Sequence, residues 1–167
     1  MGPDELAVIS IRLGMAVFVG GLIGLNRDLH HKPAGVRTHA LVSLGTALMV
    51  IVVMPPGSDN ERHYDALSRV IQGVLTGIGF LGAGVILRNP DEQHVTGLTT
   101  AATIWVTSLL GVACGMGLYL PVLIALLFGT LILLFGGRLE RALRPRVPKD
   151  THTGTSEEHG NASQADP

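Results

Sequence analysis

Residues Val70–Leu87 read VIQGVLTGIGFLGAGVIL, an unbroken apolar run that holds five glycines and no ionisable side chain. As a helix rising about 1.5 Å per residue it is about 27 Å long, close to the roughly 30 Å hydrocarbon core of a bilayer. Arg69 and Arg88 stand at its two ends. Glycine weakens a helix in water, but in lipid the backbone can satisfy its N–H and C=O groups only within a helix or a closed barrel. The glycines are therefore expected to serve packing, either within the bundle or against a partner's helices. Gly73 and Gly77 form a small-xxx-small pair, Gly79 and Ala83 form another, and Gly77 and Gly84 lie two turns apart. Such spacings let membrane helices approach closely, and the stretch is read as the central helix of a bundle. Gly77, Gly79 and Gly82 also satisfy GxGxxG, but that fingerprint needs a preceding strand, a turn and an acidic residue about twenty positions on. Here the glycines lie inside one span and Gly97 occupies that later position, so no dinucleotide site is expected.

Four further apolar runs flank this one: Leu6–Leu25, Val36–Met54, Leu98–Met116 and Leu118–Phe135. With 47% hydrophobic and 15% charged residues and 22 glycines in 167 residues, the balance is that of a membrane protein. The expected fold class is all-α: a polytopic transmembrane helix bundle of about five spans with a glycine-rich central helix. Residues 1–144 are expected to form the transmembrane domain, and 145–167 a polar, disordered tail too poor in apolar residues to bury a core. The acidic start, Asp4-Glu5, is unlike the basic beginning of a cleavable signal peptide, so the first span is expected to be kept.

The polar residues inside and between the spans are the informative ones. Span one carries Arg12, which either snorkels to the nearer interface or faces the bundle and pairs there, and ends on the GxxxG pair Gly20 and Gly24. The connection Asn26–Thr38 is basic; Pro33 ends any helix and Gly35 permits a tight turn. Its adjacent His30 and His31 diverge by about 100° on a helix and make a poor metal pair. Before the central span, Asp65 reads as a helix N-cap and as an i, i+4 partner of Arg69. Span four is rich in hydroxyls, with Thr99, Thr103 and Thr107 repeating on one face. These can bond to their own helix carbonyls or to a neighbouring backbone. Gly115 and Gly117 then make so short a turn that spans four and five must form a hairpin, and Pro121 falls in the first turn of span five, where proline costs no hydrogen bond. Cys114 has no disulfide partner and reads as a small buried apolar residue.

Basic residues set the expected orientation. The segments after spans one, three and five hold Arg27, Lys32, Arg37, Arg88, Arg138, Arg141, Arg144, Arg146 and Lys149, against Arg62 and Arg69 on the other side. By the positive-inside rule the N-terminus is outside and the C-terminus cytoplasmic.

No HExxH, GxSxG, P-loop or CxxC occurs, and the loops are too short to shape a pocket, so no enzyme, cofactor or metal site is expected. Mg²⁺ is held by carboxylates and water, yet every Asp and Glu lies outside the apolar runs. That argues against autonomous Mg²⁺ transport.

Four motifs in order, GGLIGLNRD (20–28), AGVRTHALVSLGTAL (34–48), GIGFLGAGVILR (77–88) and GLTTAATIWVT (97–107), resemble those of the MgtC/SapB family of bacterial inner-membrane proteins. The resemblance covers about Leu6–Tyr119. It implies a small polytopic protein that supports growth in low magnesium or acid stress, with roles in virulence, by modulating other membrane proteins such as ATP synthase. It singles out Arg27, Arg37, Thr38, Asp65, Arg69 and the glycines of the central span. For Arg27 and Arg37 the readings are membrane-surface anchoring or a cluster with Asp28 and Thr38 that contacts a partner protein or headgroup. Where the family has Gly-x-Glu-Arg this chain has Asn26 before Arg27, and Asp28 lies some 200° further round a helix. Thr96 replaces a frequent basic residue, and the stretch after Pro148 is too short for the ACT-like regulatory domain of several members. The expected function is non-enzymatic modulation of another membrane protein, with the lipid bilayer and a membrane-protein partner or a homo-oligomer as the expected partners and no nucleic acid; the alternative is a small Mg²⁺ or cation transporter or channel using Arg12 and the hydroxyl face of span four.

Overall fold

The computed structural model describes residues 2–58, 61–88 and 95–143. The expected tail at 145–167, the Asn-Pro turn at 89–94 and Arg144, Arg146 and Lys149 lie outside these residues. Five helices follow one another: α1 Pro3–Leu29, α2 Val36–Val53, α3 Glu61–Val85, α4 Leu98–Met116 and α5 Tyr119–Leu143. All five are long and apolar enough to cross a membrane. Between α3 and α4 the chain makes a small antiparallel ribbon of β1 Leu87–Arg88 and β2 Val95–Thr96, so the central apolar run leaves the helix at Val85.

The bundle is organised differently from the sequence expectation. α4 touches all four other helices and α2 packs along α1, α4 and α3, whereas glycine-rich α3 packs chiefly on α4 and lies at the flank. α4 is therefore the central helix. The glycines explain why. A methyl at Gly20 would lie 2.5 Å from the His39 carbonyl oxygen, and one at Gly24 would lie 2.5 Å from Val36 Cα, so α1 and α2 meet backbone to backbone. A methyl at Gly115 would sit 2.7 Å from the Ala47 carbonyl oxygen, and one at Gly111 would overlap Thr46 Oγ1 and the Ser43 carbonyl, so α4 seats equally closely on α2. The pairings of 111 with 43 and 115 with 47 make α2 and α4 parallel, while 20 with 39 and 24 with 36 make α1 antiparallel to α2.

Apolar side chains fill the seams. Ala16, Val19 and Ile23 of α1 meet Ala47, Leu110, Cys114 and Val122, which places the lone cysteine in the core. Val74 and Ile78 of α3 meet Ile104, and Leu67 meets Val50 and Val112. Two termini need special chemistry. Gly97, the N-cap of α4, takes φ +91°, and a side chain there would strike the Val85 carbonyl; Gly117 takes φ +80° and ends α4 directly before α5. That hairpin is the expected one, although Gly115 belongs to the helix. Asp65 is not an N-cap, because α3 starts at Glu61; it pairs with Arg69 at 3.2 Å with both side chains at least 70% exposed, a pair screened by solvent that adds little to stability.

Candidate functional site

Three features concentrate the polar and unpartnered groups. The first is a cleft of about 870 Å³ where the C-terminal turn of α1, the first turn of α4 and the second half of α5 converge. Its polar wall is Asn26, Arg27, His30, Lys32, Thr99 and Thr100, with Arg138 opposite on α5, and Ile132, Leu133 and Leu134 supply apolar surface. Among the described residues of this lining there is no carboxylate. Arg27 is only 5% exposed. Its Nη2 donates to Thr100 Oγ1, while its Nε is buried without a partner. Asp28 does not neutralise it: the Asp28 carboxylate accepts the Val36 N–H at 3.0 Å and so caps α2 from across the turn. Gly35 is required for that contact, since a Cβ there would overlap the Asp28 carboxylate. The need is for space rather than for a left-handed turn, which His31 and Ala34 make instead. Asn26 presents its carbonyl to His30 Nδ1 at 2.7 Å.

The second feature is a buried polar thread between α2 and α4. Thr100 accepts from Arg27 on its side chain, and its carbonyl accepts from Thr103 Oγ1 at 2.8 Å. His39, fully buried, donates from Nδ1 to the Gly35 carbonyl at 3.0 Å, and its Nε2 lies 3.2 Å from Thr103 Oγ1. The single hydroxyl proton of Thr103 therefore has two acceptors within reach when the imidazole is neutral. Further along, Ser43 Oγ and Thr107 Oγ1 are buried without partners, and Thr46 bonds back to the carbonyls of Val42 and Ser43. At the far end Arg12 donates to the Gly115 carbonyl at 2.8 Å and lies against Gly117. Arg12 thus holds the negative end of the α4 dipole; it neither snorkels free nor pairs with an acid among the described residues.

The third feature is the outer face of α3. Methyls placed at Gly73, Gly77, Gly79 or Gly84 would meet nothing within 4 Å, and Phe80 between them is 82% exposed. Gly82 alone touches a neighbour, 3.5 Å from Ala101 Cβ. Of the two uses expected for these glycines, packing within the bundle or against a partner's helices, four of the five make no close contact within the bundle among the described residues; close packing inside falls to Gly20, Gly24, Gly111 and Gly115.

Of the residues named from sequence, Arg27, Asn26 and Thr99 are brought together at the cleft, with Thr103 just behind it. Arg37 and Thr38 are exposed on the first turn of α2, and Asp65 and Arg69 lie on the exposed side of α3. No group of three or more His, Cys, Asp or Glu able to hold a metal occurs among the described residues. Sequence reasoning passed over His39, although an ionisable residue inside an apolar span is itself a signal, and over the GxxxG pair Gly111 and Gly115.

The four motifs quoted above form this architecture: the first two build the Gly20/Gly24 contact and the Arg27 turn, and the last two build the open glycine face and the polar side of α4. The profile of the MgtC family matches residues 13–142. The chain belongs to the MgtC family. Among its MgtC-family relatives, Protein SrpB of Synechococcus elongatus is 46% identical over 140 residues, covering 80% of this chain and 77% of SrpB. The putative magnesium transporter YhiD of Escherichia coli K12 is 43% identical over 114 residues, 65% of this chain and 51% of YhiD. Protein MgtC of Salmonella typhimurium LT2 is 37% identical over 137 residues, 82% of this chain and 54% of MgtC. The chain thus spans about half the length of YhiD and of MgtC. No solved structure matches it.

Proposed function

We propose that this MgtC-family protein is a non-enzymatic inner-membrane protein that modulates another membrane complex when magnesium is low or the medium acid, and that α3 is the helix through which it does so. The observation that carries this reading is the open glycine face. In lipid, apolar exposure alone drives no helix pairing, and what favours association is close backbone approach at small residues. Gly73, Gly77 and Gly84 offer that approach on one side of α3 and leave it unused among the described residues. ATP synthase, which the MgtC/SapB resemblance implies as a partner, is one membrane complex that could take the position. The basic ends of α1 and α5 favour an outside N-terminus and a cytoplasmic C-terminus.

Transport is the competing reading, and the printed name of YhiD gives it weight. It would need a water-filled path along the hydroxyls of α4, where the present contacts leave α2 and α4 backbone to backbone at Gly111 and Gly115. One experiment separates the two. In cells depleted of the endogenous protein, Gly77→Leu is expected to abolish growth at low magnesium while the purified variant keeps wild-type thermal stability and shows no Mg²⁺ flux in dye-loaded liposomes, like the wild type. Saturable wild-type flux, or full growth of the Gly77→Leu strain, would overturn the proposal.

A further inference from the structure

We propose that the cleft at the ends of α1 and α5 binds a phosphate-bearing anion, with Arg27, Lys32 and Arg138 as the charge-bearing contacts and the first turn of α4 as a backbone cradle. The starting point is Arg27. A guanidinium at 5% exposure with a buried, unpartnered Nε and no carboxylate partner among the described residues is costly unless a counter-charge comes to it. Its one side-chain partner among the described residues, Thr100 Oγ1, is neutral and does not supply that charge. The second observation is independent. α4 begins at Gly97, which makes no side-chain cap hydrogen bond, so its first N–H groups have no intrahelical acceptor, and the helix's positive end adds to the field at the cleft wall formed by Gly97, Leu98, Thr99 and Thr100. Free N–H groups at a helix start and an arginine beside them form a recurrent phosphate site. Lys32 and Arg138 are exposed at the mouth, where they can meet an oxyanion without leaving water. Ile132 and Leu133 of α5 extend the same cleft as apolar surface. The shared chemistry therefore suits both the headgroup of an anionic phospholipid, with an acyl chain along α5, and free phosphate.

The test uses the full chain in nanodiscs of phosphatidylcholine, with or without phosphatidylglycerol, read by native mass spectrometry, and titration of inorganic phosphate into the same chain in neutral detergent. Retention of phosphatidylglycerol by the wild type and its loss in Arg27→Gln supports the lipid source; saturable phosphate binding weakened about tenfold or more by Arg27→Gln supports the soluble one. Lys32→Gln/Arg138→Gln, which changes only exposed side chains, is expected to weaken whichever binding is seen and keeps the test decisive if Arg27→Gln does not fold. Neither anion bound by the wild type, or binding equal in all variants, overturns the proposal. So does binding that appears only in Asp91→Asn/Glu92→Gln, since that would assign the counter-charge of Arg27 to the chain itself.

Discussion

At Gly20 a methyl would collide with the His39 carbonyl, whereas at Gly21 or Gly45 it would meet nothing. Gly20→Ala is therefore expected to destabilise the fold by about 1–3 kcal/mol, as overpacking does in tight interiors, and Gly45→Ala to be neutral. Unfolding in mixed detergent micelles measures both, and equal effects would contradict the contact described for α1 and α2. Arg12 invites a similar comparison. Because it donates to the Gly115 carbonyl, Arg12→Met should cost about 1.5–3 kcal/mol, the range for hydrogen bonds to charged groups, and Arg12→Lys less. Both glycines of the GxxxG pair in span one, Gly20 and Gly24, were legible from spacing alone. Spacing does not, however, say which neighbour a small residue meets. That is why Gly73 and Gly77 read as equally buried, and why Gly111 and Gly115, with the same pattern, were hidden behind the hydroxyls around them.

At the scale of the element, the five helices follow from hydropathy, and their starts and ends differ from the apolar runs mainly where polar turns continue the helix, as at Glu61–Arg69 and Arg138–Leu143. The ribbon at Leu87–Arg88 and Val95–Thr96 escapes any pattern, because two-residue strands carry no periodicity. The hydroxyl face of α4 was visible in sequence; its function as the buried seam against α2 depended on His39, which supplies the partner. Thr103→Val removes the link to His39 and the bond to the Thr100 carbonyl, and should cost about 0.5–2 kcal/mol, the scale of interhelical hydrogen bonds in membranes. A cysteine placed at Thr107, itself fully buried, should resist a membrane-impermeant thiol reagent applied from either side; fast labelling would mean water reaches this seam and would favour a conducting path.

For the whole molecule, the chain divides its small residues between two uses: Gly20, Gly24, Gly111 and Gly115 close the bundle, while the face of α3 around Gly77 stays open. The basic side chains gathered around the cleft and the polar groups between Arg27 and Arg12 give that bundle a direction, basic at one end and capped at the other. On the proposed function, how the protein acts depends on what meets α3. The most direct measurement is site-specific photo-crosslinking in native membranes from position 77 on α3 and, as a control, from position 127 on α5, where Leu127 is also exposed. A discrete protein adduct from 77 that is absent from 127 and lost when Gly73→Leu is added is the predicted result. Lipid adducts alone from both positions, in cells where the protein supports growth, would contradict the account.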